Sequence, residues 1–157
     1  MGREIFMRAA LEEARRGMTA GEGGPFGAVI IRDGEILARA HNTVLKDNDP
    51  THHAEMAAIS RACAKVGSYD LSGCEIYSTT EPCPMCFSAI HWARIDRLFF
   101  GTGISDVKAL GFNELTLSVR KIKEIGRSPV IVEGGVLEDE CVSLLEEWET
   151  LPIKKVY

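Results

Sequence analysis

Apolar residues recur at near-helical spacing over residues 5–16, and Gly17 then stands where a helix C-cap would fall. A glycine-rich loop spans 21–27. Two short apolar runs, 28–31 and 35–40, flank Asp33-Gly34, a strong signal for a two-residue hairpin turn. Residues 53–66 read as an alanine-rich helix stopped by Gly67, and 75–79 as a strand. A second helix is predicted over 84–95, with Pro84 suited to its first turn. Residues 98–101 and 130–133 follow as strands. The pattern closes on an amphipathic helix over 138–150, with Val142, Leu145 and Trp148 facing inward. Helices alternating with strands after an opening hairpin predict an α/β fold, a mixed sheet with helices on both faces.

With 157 residues and no internal repeat or linker, the pattern predicts a single domain over 1–157. Hydrophobic residues make up 45% and no run is long and apolar enough for a bilayer, so no membrane is expected. Residues 1–16 include the charged Arg3, Glu4, Arg8, Glu12 and Glu13 and lack a signal-peptide core, which makes the cytoplasm the default. A net charge of −5 argues against a nucleic-acid partner, since phosphate binding needs clustered Lys and Arg. The one basic cluster, Arg120, Lys121, Lys123 and Arg127, reads as a solvated face. Five cysteines do not suggest a disulfide framework. Cys63, Cys74 and Cys141 sit among apolar neighbours as core residues; Cys83 and Cys86 do not.

The chemistry concentrates in His53-Ala54-Glu55 and Pro82-Cys83-Pro84-Met85-Cys86, an H-x-E followed by P-C-x-x-C, the pattern of zinc deaminases. Two thiolates and an imidazole suit tetrahedral zinc, one per chain, and leave a fourth position for an activated water. Both fragments open predicted helices, where the positive dipole end favours thiolates. On a regular helix His53 and Glu55 would diverge, at about 100° per residue. They share a site if His53 sits at an irregular helix start, with Glu55 beside the water as proton shuttle. Two rivals stand beside this reading. Cys83 and Cys86 form a redox pair in one; in the other, His52 or His91 completes a closed structural zinc site.

Taken together, these motifs resemble the cytidine-deaminase-like superfamily, and within it the bacterial guanine deaminases. The likeness extends through Gly23-Gly24-Pro25-Phe26-Gly27, His41-Asn42, Trp92-Ala93-Arg94, Gly111-Phe112 and the closing Lys154-Lys155-Val156-Tyr157. The resemblance implies a three-layer α/β/α sandwich around a five-stranded mixed sheet, in a homodimer whose C-terminal tail is swapped between subunits in some members. It implies a small nucleobase as substrate, guanine first, with water giving xanthine and ammonia. Phe26 would stack on the base, Asn42 and Glu114 would bind it, the Ala54 backbone would touch it, and Tyr157 would close the pocket. A tRNA adenosine deaminase is the nearest alternative and a free cytosine deaminase the next.

Overall fold

The computed structural model describes residues 2–157. Its elements, in order, are α1 (Gly2–Thr19), β1 (Gly27–Arg32), β2 (Glu35–His41), α2 (Val44–Asp47), α3 (Ala54–Val66), β3 (Cys74–Thr80), α4 (Pro84–Trp92), β4 (Arg97–Thr102), α5 (Ile104–Ala109), α6 (Val119–Gly126), β5 (Ile131–Glu133) and α7 (Glu138–Glu149). The five strands form one mixed sheet in the order β2-β1-β3-β4-β5. β1 runs antiparallel to both β2 and β3, whereas β3, β4 and β5 are parallel. Asp33 and Gly34 turn the β1–β2 hairpin with φ of 52° and 78°, the pair of positive angles that a type I′ turn requires.

β1 lies between two neighbours and is buried along nearly its whole length, so its run of apolar residues does not alternate. α1 packs on β1, β2 and β3 and touches α7, which covers β4; α3 packs on β1 and β2 and touches α4, which meets α6. The result is a three-layer α/β/α sandwich. Tyr77 and Phe99 lie in its core, their rings stacked at 4.7 Å. Arg8–Glu140 and Arg15–Glu147 link α1 to α7 at 2.9 and 2.8 Å, but these half-exposed pairs contribute little beside the apolar core.

Four expectations are revised. Gly17 does not end α1, which runs on to Thr19. A side chain at Gly17 would strike the His41 imidazole, so glycine is there to let β2 approach the helix. α4 stops at Trp92, and Arg94, at φ 60°, turns the chain towards β4. In α7 the inward residues are Cys141, Leu144, Leu145 and Trp148, with Val142 half-buried at the rim. Cys74 and Cys141 are core residues, whereas Cys63 is half-buried.

Candidate active site

Two chain reversals build the site on one end of the sheet. The chain enters α3 through His53 and α4 through Cys83, both extended (φ −71°, ψ 156° and φ −66°, ψ 168°) and both at the N-cap. Pro84 occupies the first turn of α4, where a missing N–H costs nothing. Because His53 precedes the helix, its ring leaves in a direction unrelated to the 100° stepping of α3. That irregular start is what allows Glu55 to reach the same site.

His53 Nδ1 lies 3.6 Å from Cys83 Sγ and 3.5 Å from Cys86 Sγ, and the three donor atoms all fall within 4.8 Å of one another. Zinc bonded tetrahedrally at ordinary Zn–N and Zn–S lengths separates N from S by roughly 3.5 Å, so the donor set fits zinc without rearrangement. Of the three donors, only Cys83 is shifted towards the deprotonated form that binds a metal. Cys83 is pulled down to about 4 by the thiol of Cys86 and by His53, against the cost of burial. Cys86 is pushed well up by Cys83, by its burial and by Glu55. Burial opposes charge on His53, but Cys83 and Glu55 outweigh it and raise the imidazole. His53, Cys83 and Cys86 are thus positioned to bind one zinc ion. His52 is engaged by Asp47 and Asp49 at 2.8 and 3.2 Å, and His91 by the Ser128 hydroxyl at 2.8 Å. Neither histidine belongs to the donor group.

Glu55 lies in the first turn of α3, 4% exposed, and its Oε1 accepts a hydrogen bond from Ser78 Oγ at 2.6 Å. Ser78 is fully buried in β3, paired with Ala28 on one side and Phe100 on the other. It was not foreseen from sequence, although three consecutive hydroxyl residues, Ser78 to Thr80, closing a strand offered a signal.

A cavity of about 310 Å³ opens over these groups and is lined by Phe26, Asn42, His53, Glu55, Cys83, Phe112, Glu114 and Tyr157, among others. That volume is at the small end of the range for small-molecule sites, roughly 300–1,000 Å³. Asn42 is 1% exposed, and its Oδ1 accepts from the Val44 amide at 3.1 Å. This bond fixes the amide so that its NH₂ remains for the cavity. Gly23 lies so close to Asn42 that any side chain there would strike its Oδ1 and carbonyl. Phe26 is both wall and core, packed edge-on against Phe112 at 5.2 Å. Burial and the nearby Cys83 thiolate push Glu114 up to about 7, against the pull of His53. Ala54 is fully buried in the first turn of α3, and its side chain is not part of the wall.

Tyr157 returns to the cavity of its own chain. Its carbonyl accepts from Asn113 N at 3.0 Å, and its ring packs edge-on against Phe112 at 5.1 Å. The hydroxyl is buried without a hydrogen-bond partner, Gly24 and Asn42 being its nearest polar neighbours, and burial pushes the phenol upward.

Residues 2–102 match the family described as the cytidine and deoxycytidylate deaminase zinc-binding region. Along its full length the chain is 40% identical to a guanine deaminase of Bacillus subtilis, covering 100% of both. It is 37% identical to a tRNA-specific adenosine deaminase of the same organism over 90% of this chain and 85% of that one. The solved guanine deaminase from Nitrosomonas europaea superposes with a TM-score of 0.86 at 32% identity, over 94% of this chain and 85% of that one. The matched region takes in both zinc-binding fragments and Glu55, while Phe112, Glu114 and Tyr157 stand beyond it. With that region spanning well over half of its length and the donor set assembled within it, the chain belongs to the zinc-dependent cytidine and deoxycytidylate deaminase family.

Proposed function

We propose that the protein deaminates a free nucleobase, guanine above all, giving xanthine and ammonia from guanine and water. The observation that carries this reading is the pairing of Asn42 and Glu114 on the cavity wall. Asn42 offers an amide donor, and Glu114 in its ionised form is an acceptor. Guanine matches both, with acceptors at O6 and N7 and donors at N1–H and the 2-amino group. Adenine has a bare N1 lone pair and no 2-amino group, so a carboxylate there would repel it. A buried polar wall that loses its partners discriminates steeply.

Zinc bound by His53, Cys83 and Cys86 supplies an activated water as nucleophile. Glu55, held at Oε1 by Ser78, has its second oxygen to take the water's proton. It delivers that proton to the ring nitrogen beside the aminated carbon. As the carbon–nitrogen bond breaks, Glu55 passes the remaining hydroxyl proton to the departing amine, and ammonia leaves. Phe26, Phe112 and Tyr157 exclude water from the ring and hold it in plane. Each chain carries the whole set of residues, and the resemblance to guanine deaminases extends this reading to a homodimer.

Deamination of adenosine in a tRNA is the second reading, favoured by the 37% identity to such an enzyme. The net charge of −5 and the placement of Tyr157 on the cavity favour the free base. An ammonia-release panel of guanine, adenine, cytosine and an anticodon stem-loop separates the two. The expected outcome is guanine first by a wide margin; a faster stem-loop overturns the guanine reading and leaves the zinc chemistry standing.

A further inference from the structure

The 104–118 segment brings Phe112 and Glu114 to the cavity, yet little within it is regular. It begins in the short helix α5 and then runs as irregular chain to Ser118, with Leu115 and Leu117 exposed. Inside it, Glu114 N bonds Phe112 O and Leu117 N bonds Leu115 O. Its middle is held from outside by Asn113 N to Tyr157 O at 3.0 Å and by the buried Phe112 ring against Phe26, Trp148 and Tyr157, none of which ties it to the zinc-ligand loop. Its two ends are fixed differently. Glu81 Oε2 accepts from Ile104 N at 3.2 Å, the first residue of α5, and Oε1 accepts from Val119 N at 2.9 Å, the first residue of α6. Both are amides that a helix start leaves without an intrahelical partner. Glu81 is itself anchored by its amide to Thr102 O at 2.7 Å, and it stands two residues before the zinc ligand Cys83.

We infer that Glu81 is a positioning residue: one carboxylate ties both ends of the 104–118 segment to the zinc-ligand loop and so, together with the Asn113–Tyr157 bond, sets where Glu114 stands relative to the metal site. The two oxygens are each committed to one amide, and both partners are backbone, so the tie does not depend on rotamers elsewhere. The geometry makes Glu81 a determinant of base selection that acts through Glu114. The inference rests on the proposed reading of Glu114 as a partner of the base.

An amide has one carbonyl acceptor, so Glu81→Gln keeps one of the two bonds and turns an NH₂ towards the other N–H. In zinc-loaded enzyme, Glu81→Gln should lower kcat/KM for guanine about tenfold, carried mostly by KM, because it loosens a binding group. Zinc content should stay at the wild-type level. The decisive comparison is the double-mutant cycle with Glu114→Gln. If Glu81 acts through Glu114, the double variant is no worse than Glu114→Gln alone to within about twofold. Hydrogen exchange gives a readout independent of substrate: the Ile104 and Val119 amides and residues 110–118 should exchange faster in Glu81→Gln. Should that variant fail to fold, Glu81→Asp keeps both acceptors at a shorter reach and should show a smaller loss with the same non-additivity. Additive losses, zinc release, or unchanged exchange at Ile104 and Val119 each overturn the inference. Wild-type kinetics in Glu114→Gln alone would instead remove the proposed role of Glu114, and the exchange measurement would still decide whether Glu81 makes the tie.

Discussion

Ser78→Ala deletes one oxygen from a fully buried position and leaves the strand untouched, since Ser78 pairs with Ala28 and Phe100 through its backbone. The lost bond is the 2.6 Å contact to Glu55 Oε1, between two groups that are 0% and 4% exposed. A hydrogen bond to a charged group contributes about 1.5–3 kcal/mol. If that interaction serves to hold the carboxylate in line for proton transfer, its loss raises the barrier by a similar amount, roughly 10- to 150-fold in rate. The effect should fall on kcat, because Ser78 is not among the residues that line the cavity. Zinc content should not change, because neither Ser78 nor Glu55 belongs to the donor set. Steady-state ammonia release beside metal analysis measures both. A kcat within twofold of wild type would refute the reasoning, and so would a loss of activity that merely tracks a loss of zinc.

Glu55→Gln should keep zinc and the fold while losing on the order of 10²–10⁴ in kcat, measured by the same assay. Removing residues 153–157 should leave zinc and the core fold intact but lower kcat/KM on guanine by roughly tenfold or more, through the loss of Tyr157 from the cavity. Gly17→Ala should lower the unfolding temperature, since the new methyl meets the His41 ring, and overpacking of this kind costs about 1–3 kcal/mol. Glu114, raised to about 7 mainly by burial, takes up a proton on folding between its ordinary carboxyl range and pH 7. Stability should therefore fall as pH rises through that window. Glu114→Gln removes the effect, so in metal-stripped protein its unfolding temperature should exceed that of wild type at pH 8 and match it near pH 4; the same gap at both would refute the assignment.

The metal centre was legible because its signals are local. His53, Cys83 and Cys86 each stand at or within one turn of a helix start that the sequence marks by itself, with Pro84 and the turn before His53 as punctuation. The need for His53 to sit outside the regular helix also followed from residue spacing alone. Asp33-Gly34 announced the hairpin for the same reason. What escaped was tertiary. Ser78 meets Glu55 across 23 residues and Glu81 meets Val119 across 38, and nothing near either residue marks its partner. Gly17 imitates a C-cap because the reason for a glycine there, the His41 ring, comes from another element. α5 and α6, of six and eight residues, are too short for periodicity to reveal. The path of residues 150–157 back to the cavity is set by contacts with Phe112, Asn113 and Trp148, which no local pattern encodes.

The central claim is that zinc held by His53, Cys83 and Cys86 and a proton shuttle at Glu55 together deaminate guanine. It is tested most directly by titrating zinc into metal-stripped protein and following xanthine formation. Turnover should rise linearly and stop at one zinc per chain, and Cys83→Ser should abolish both the binding and the rise. Guanine turnover that is full without metal, or absent from protein carrying one zinc per chain at these ligands, would contradict it.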